Sequence, residues 1–243
     1  MASPAVGSRP ATVAVLLSFV AGYVDTVGFV ALFGLFTAHV TGNFVLIGAA
    51  LSRDAHGGLI AKLAALPVFI LAVAATTWFV QARNRTAKPA LPGILLAQAL
   101  LLAAFAAVGV IAAPITDIDT PLAVLAGLLG VAAMGTQNAA SRLLLTELPP
   151  TTVMTGGVTQ FSIDATYLLR SAAGPEAAAA RARLLKFAPP VGAFAVGAIA
   201  GAVLVTQLGF LALLLPILAL LIVMRLTWPA AVPVVEKAGG TRA

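Results

Sequence analysis

From Pro10 to Ser52 the sequence holds a single Asp, Glu, Lys or Arg, and that residue is Asp25, set within an apolar run. A carboxylate at the centre of a membrane span costs roughly 2.5–3.5 kcal/mol on insertion scales, so it is retained protonated, paired or facing water inside a bundle. Asp25 reads as a proton or cation site, or as a structural hydrogen bond between helices. Sixteen residues later comes Val40-Thr41-Gly42-Asn43. Thr41 and Asn43 suit a helix start within the membrane, because their side chains accept bonds from free first-turn N–H groups; Gly42 permits a sharp bend and close approach. His39 stands just before, with a titration range suited to a gate or proton shuttle. A lone histidine without neighbouring ligands also suits a packed, hydrogen-bonded role, and His56 reads as a loop residue.

The same order recurs in the second half. Gly135-Thr136-Gln137-Asn138 is followed by Met154-Thr155-Gly156-Gly157, with 17 residues from Asn138 to Thr155 against 16 from Asp25 to Thr41. Pro67 and Pro189 each lie near the start of the next apolar segment. Order and spacing together predict an internal duplication. Gln137 and Asn138 are uncharged polar groups suited to solute contact or to bonding between helices. Asp164, with Gln160 one turn before it, reads as a second relay carboxylate or as a solvated residue paired with Arg170 or Arg142; a position near the cytoplasmic face favours the pair. Gly157 stands where the first half has Asn43, so a role for the Asn43 amide is confined to one half. Gly197 and Gly201 form a GxxxG pattern that reads as internal helix packing.

The chain has 243 residues, 61% hydrophobic and 9% charged, no cysteine, a formal net charge of +6 and a mean hydropathy of +1.07. Soluble domains carry roughly 45–50% apolar residues, so the class is membrane. Segments 63–82, 89–116 and 120–141 contain no Asp, Glu, Lys or Arg, nor does 187–224. That last run would be roughly 57 Å long as one helix, nearly twice a hydrocarbon core of about 30 Å, so it predicts two crossings that turn at Thr206-Gln207-Leu208-Gly209, with a kink at Pro216. Unbroken Ala- and Leu-rich runs lack the alternation of a barrel. The first run is too long for a cleaved signal and reads as an uncleaved helix.

The expected architecture is an all-α, polytopic transmembrane bundle of about six spans in two inverted three-helix repeats, each with a short re-entrant half-helix. The first repeat covers 10–113, with spans near 11–35, 63–82 and 91–113 and a half-helix at 41–52. The second covers 120–226, with spans near 120–141, 187–206 and 208–225 and a half-helix at 155–170. Cytoplasmic tails occupy 1–9 and 227–243. This arrangement puts 12 of the 14 Lys and Arg residues inside and leaves only Arg53 and Lys62 outside, whereas full crossing by both short segments gives at best ten to four, so the positive-inside rule favours re-entrance. Half-helices starting near the midplane would meet near Asp25 and Asn138, aiming positive dipole ends at one another. A tightly packed hairpin with no open path is the competing reading.

The runs Gly22-Tyr23-Val24-Asp25-Thr26-Val27-Gly28-Phe29, His39-Val40-Thr41-Gly42-Asn43, and Gly135-Thr136-Gln137-Asn138-Ala139 with Arg142 and Thr152-Val153-Met154-Thr155-Gly156 resemble the YoaK-like family of bacterial multi-spanning membrane proteins, a domain-of-unknown-function family. The resemblance extends over essentially the whole chain. It implies a polytopic helical protein and brings no substrate or reaction with it.

Enzyme motifs are missing: the sequence has no HExxH, GxSxG, Walker loop or dinucleotide fingerprint, and two His with no Cys make a poor metal site. No catalytic residue, metal or cofactor is therefore expected. Since the basic residues sort by topology, the charge signals orientation, and nucleic acid is not an expected partner. The expected setting is the bacterial cytoplasmic membrane with both termini cytoplasmic. Architecture predicts passage of a small polar or ionic solute, proton-coupled through Asp25. The alternatives are a non-transporting scaffold and, behind it, a membrane-embedded enzyme.

Overall fold

The computed structural model describes residues 10–52, 58–117, 119–152, 154–170 and 173–228. Arg53, His56 and the tails 1–9 and 229–243 lie outside them. Among the described residues the structure is all helical: α1 (Pro10–Ala31), α2 (Gly42–Ser52), α3 (Leu59–Arg85), α4 (Leu91–Ala112), α5 (Pro121–Leu143), α6 (Met154–Arg170), α7 (Pro175–Leu208), a short 3-10 turn (Gly209–Leu213) and α8 (Leu214–Thr227). Prolines in the first turns of α4, α5 and α7 stand where a helix needs no N–H donor. Four separate helices and the continuous stretch Pro175–Thr227 are long and apolar enough to cross a bilayer.

Local chemistry sets the boundaries. α1 stops at Ala31, short of the expected 35, because Phe33 turns left-handed with φ 51° and Gly34 N–H closes on Phe29 O at 2.8 Å. That is the bond pattern of a Schellman cap. α7 begins at Pro175, well before the expected span start at 187, and runs through Pro189 and Pro190. Gly209 breaks it with φ 55°. Tyr23 marks the reversal: Gly201 of α7 packs on its backbone oxygen, and its hydroxyl donates to Ala212 O beyond the break at 2.8 Å. Pro216 falls in the first turn of α8, directly after the 3-10 turn.

The packing contacts of the first four helices correspond to those of the last four. α1 packs on α7 as α5 packs on α3; α4 on α5 as α8 on α1; α2 on α3 as α6 on α7; and α4 meets α8, as α1 meets α5. Exchanging the first four helices for the last four leaves this set unchanged. The matched helices α1 and α5 run in opposite directions, since Leu17 early in α1 meets Gln137 late in α5, while Leu32 and Leu35 past the end of α1 meet Gly127 early in α5. Glycine permits the closest crossing. A Cβ on Gly197 or Gly201 would strike Phe19 O or Tyr23 O, and one on Gly22 would strike Phe194 O. The GxxxG pattern is thus an internal seam.

Candidate functional site

Asp25 sits in the last third of α1, about 9 Å along the helix axis from Ala31 at 1.5 Å per residue. The chain leaving α1 folds back toward it. Gly28 and Gly127 make room: added Cβ atoms there would collide with Thr37 Cγ2 and Leu35 Cδ2 respectively. The loop so admitted presents its N–H groups to a carboxylate that is only 5% exposed. Asp25 Oδ1 accepts from Thr37 N at 2.8 Å, Ala38 N at 2.7 Å and His39 N at 3.4 Å, and from Thr37 Oγ1 at 3.3 Å. Its second oxygen, Oδ2, lies 2.7 Å from His39 Nδ1. A buried carboxylate is thereby satisfied by backbone dipoles and one imidazole, the compensation that burial demands.

His39 is half-exposed and stands in the loop, outside the spanning helices. Its ring lies edge-on to Phe36 and Phe194, with centroids 6.3 and 5.6 Å away. The hydrogen bond to Asp25 holds its pKa above the usual imidazole value, against the opposing effect of burial. The Asp25–His39 contact lies where the loop meets the bundle.

Asn43 works differently from the helix cap expected of it. Its Oδ1 accepts Phe36 N–H at 3.0 Å and its Nδ2 donates to Phe36 O at 2.9 Å, so it clamps the loop and leaves the first turn of α2 uncapped by its side chain. Gly42 lets the Phe36 ring lie against the chain. Thr41, Thr155 and Gly156 are exposed and do not join Asp25.

In the second half Gln137 takes the clamping role. Its Nε2 donates to Leu17 O at 2.8 Å and to Thr151 Oγ1 at 3.2 Å, while Gln98 Nε2 donates to its Oε1 at 2.7 Å. Asn138 is half-buried and makes no side-chain hydrogen bond among the described residues. The half-helices therefore do not converge on an Asp25–Asn138 centre: α2 packs on α3, and α6 on α7. Leu17 and Asp25 are eight residues apart on α1, so the two clamps are separated by about 12 Å along it.

Asp164 is fully buried, and its partner is Arg183, where Arg170 or Arg142 was expected. Arg183 Nη2 and Nε donate to Oδ1 at 2.7 and 3.0 Å, and Gln160 Nε2 donates to Oδ2 at 2.9 Å. This pair fastens α6 to α7. Thr37, Gln98, Thr151 and Arg183 were not singled out by sequence reasoning. Thr37 and Thr151 had a signal, since each stands four residues before the Thr of a Thr-Gly pair.

These features define an integral membrane protein of the all-helical class, with a buried carboxylate clamped between a helix and a folded-back loop. The chain belongs to the family described as Protein of unknown function (DUF1275), whose model matches residues 13–226. It is 33% identical over 142 residues to the UPF0700 transmembrane protein YoaK of Bacillus subtilis (strain 168), a stretch covering 58% of this chain and 60% of that relative. No solved structure matches. The signatures around Asp25 and Asn138 thus point to the family the chain belongs to.

Proposed function

We propose that this protein passes a small polar or ionic solute across the bacterial cytoplasmic membrane, with a proton carried by Asp25 and His39. Its six spans are α1, α3 and α4, then α5, α7 and the 3-10 turn with α8. The repeats are inverted, α2 and α6 are re-entrant, and both termini are cytoplasmic. The exchange of packing partners and the opposite directions of α1 and α5 support this arrangement, which is the one used by transporters built from inverted repeats. The reading is carried by one observation: the 2.7 Å contact of Asp25 Oδ2 with His39 Nδ1 puts a titratable pair at the junction of a spanning helix and its folded-back loop. Protonating Asp25 would weaken its hold on the Thr37 and Ala38 N–H groups, which links a proton to release of the loop.

One observation favours a non-transporting scaffold: both Asp25 oxygens are engaged by the chain's own groups. Proteoliposomes containing a pH-sensitive dye separate the two readings. Wild-type protein is challenged with panels of amino acids, sugars, ammonium and alkali-metal salts. Solute-dependent proton movement that is lost in Asp25→Asn, while the variant remains monodisperse, supports transport. No solute-dependent signal from folded wild type supports the scaffold.

A further inference from the structure

The core of the bundle holds a second polar cluster. Ser18 of α1, Gln98 of α4 and Thr151 are 0% exposed, and Gln137 of α5 is 1% exposed. The orientation of the two amides follows from their partners. Leu17 O carries lone pairs and no proton, so the Gln137 atom that faces it is Nε2. Gln137 Oε1 therefore faces Gln98, which presents Nε2 in return. Gln98 Oε1 is left in the core without a donor, and Ser18 Oγ, one residue past Leu17, is left without a partner as well. Flipping Gln98 would set two oxygens face to face; flipping Gln137 would set its NH2 group against that of Gln98.

Buried polar atoms of this kind are paired in folded proteins, by ordered small molecules where the chain provides no partner. An acceptor amide needs an N–H or O–H donor, and a serine hydroxyl offers either a donor or an acceptor. The cluster contains no carboxylate. The acidic residue nearest along α1 is Asp25, seven residues from Ser18 and about 10 Å away along the helix. A cation here would be buried without compensating charge, so the ligand is neutral. Near-zero exposure of every member limits it to about the size of a water molecule.

We propose that Gln98 and Gln137 form a binding site, where α4 and α5 meet Leu17 of α1, for a small neutral molecule bearing O–H or N–H donors. The donor engages Gln98 Oε1. The site does not rest on transport, since a resident water would occupy it in a scaffold as well as in a transporter.

The test uses the full chain in lipid nanodiscs, labelled with 15N-glutamine, with the Gln98 and Gln137 side-chain amide signals assigned through Gln98→Met and Gln137→Met. Magnetisation-transfer cross-peaks from the Gln98 amide protons to water are expected, and they survive Thr151→Val, which removes a hydroxyl that would relay exchange. Ammonium chloride, in equilibrium with ammonia, is then titrated against sodium chloride at equal ionic strength. Cross-peaks that persist identify a resident water. Cross-peaks that fade with a saturable shift of the Gln98 signal, under ammonium alone, identify an exchangeable solute. Either result supports the site. Absence of both cross-peak and shift overturns it, as does a cross-peak lost in Thr151→Val.

Discussion

Asp25 Oδ1 receives the Thr37 backbone N–H at 2.8 Å, so a spanning helix holds the loop that leads to the first Thr-Gly pair. Gln137 reaches Thr151 Oγ1 at 3.2 Å at the matching place in the second half. The two clamps share a position and differ in chemistry. The first is built on a carboxylate and the second on neutral amides.

Removing the first clamp should release the loop. Asp25→Ala leaves the Thr37 and Ala38 N–H groups buried without an acceptor, at roughly 1–3 kcal/mol for each unsatisfied donor. Asp25→Asn keeps one acceptor oxygen and is expected to lose less. Unfolding in mixed detergent micelles measures both, and an alanine variant as stable as wild type would contradict the clamp.

Helix spacing at the α1–α7 seam makes a second prediction. Gly201→Leu puts a side chain against Tyr23 O, whereas Gly48 has open space around its Cβ direction. Overpacking costs typically about 1–3 kcal/mol and more against backbone, so Gly201→Leu should unfold well before Gly48→Leu. Equal thermal stability of the two purified variants would rule the seam out.

Sequence alone revealed the all-helical membrane class, the long apolar helices and the turn at Gly209, because apolar run length and turn residues are one-dimensional signals. Side-chain partners were not visible in it. Asn43 looked like a helix cap, yet it reaches back to Phe36, since the left-handed turn at Phe33 and Gly34 brings the loop within range. For Asp164 the sequence suggests Arg170 or Arg142, but the partner is Arg183, brought in by the packing of α7 on α6, which residue spacing alone does not reveal.

That ion pair supplies the next expectation. Arg183→Met leaves the Asp164 carboxylate buried with only Gln160 for a partner, and should detach α6 from α7. Pairing it with Asp164→Leu should restore most of the stability, because removing both charges removes the desolvation penalty that remains when one stays. Proteolysis of the α6–α7 connection reports the detachment. A double variant no better than the single would contradict the fastening role.

A pH dependence follows from His39. Its folded pKa is raised, so the stabilisation it contributes is complete below the ordinary imidazole value and disappears as pH rises through the raised value. Thermal stability of wild type should fall across that window, and His39→Gln should flatten the fall. Parallel curves for the two proteins would show that the histidine is not coupled to folding.

In the proposed arrangement the two halves are inverted and each sends a short segment into the membrane from its own side. With no cysteine in the chain, single cysteines from Thr37 to Leu51 and from Thr151 to Leu169 can be labelled with impermeant thiol reagents in oriented vesicles. Labelling of the first segment from outside only and of the second from inside only is the expected result. The reverse pattern, or protection of both segments from both sides, would contradict it.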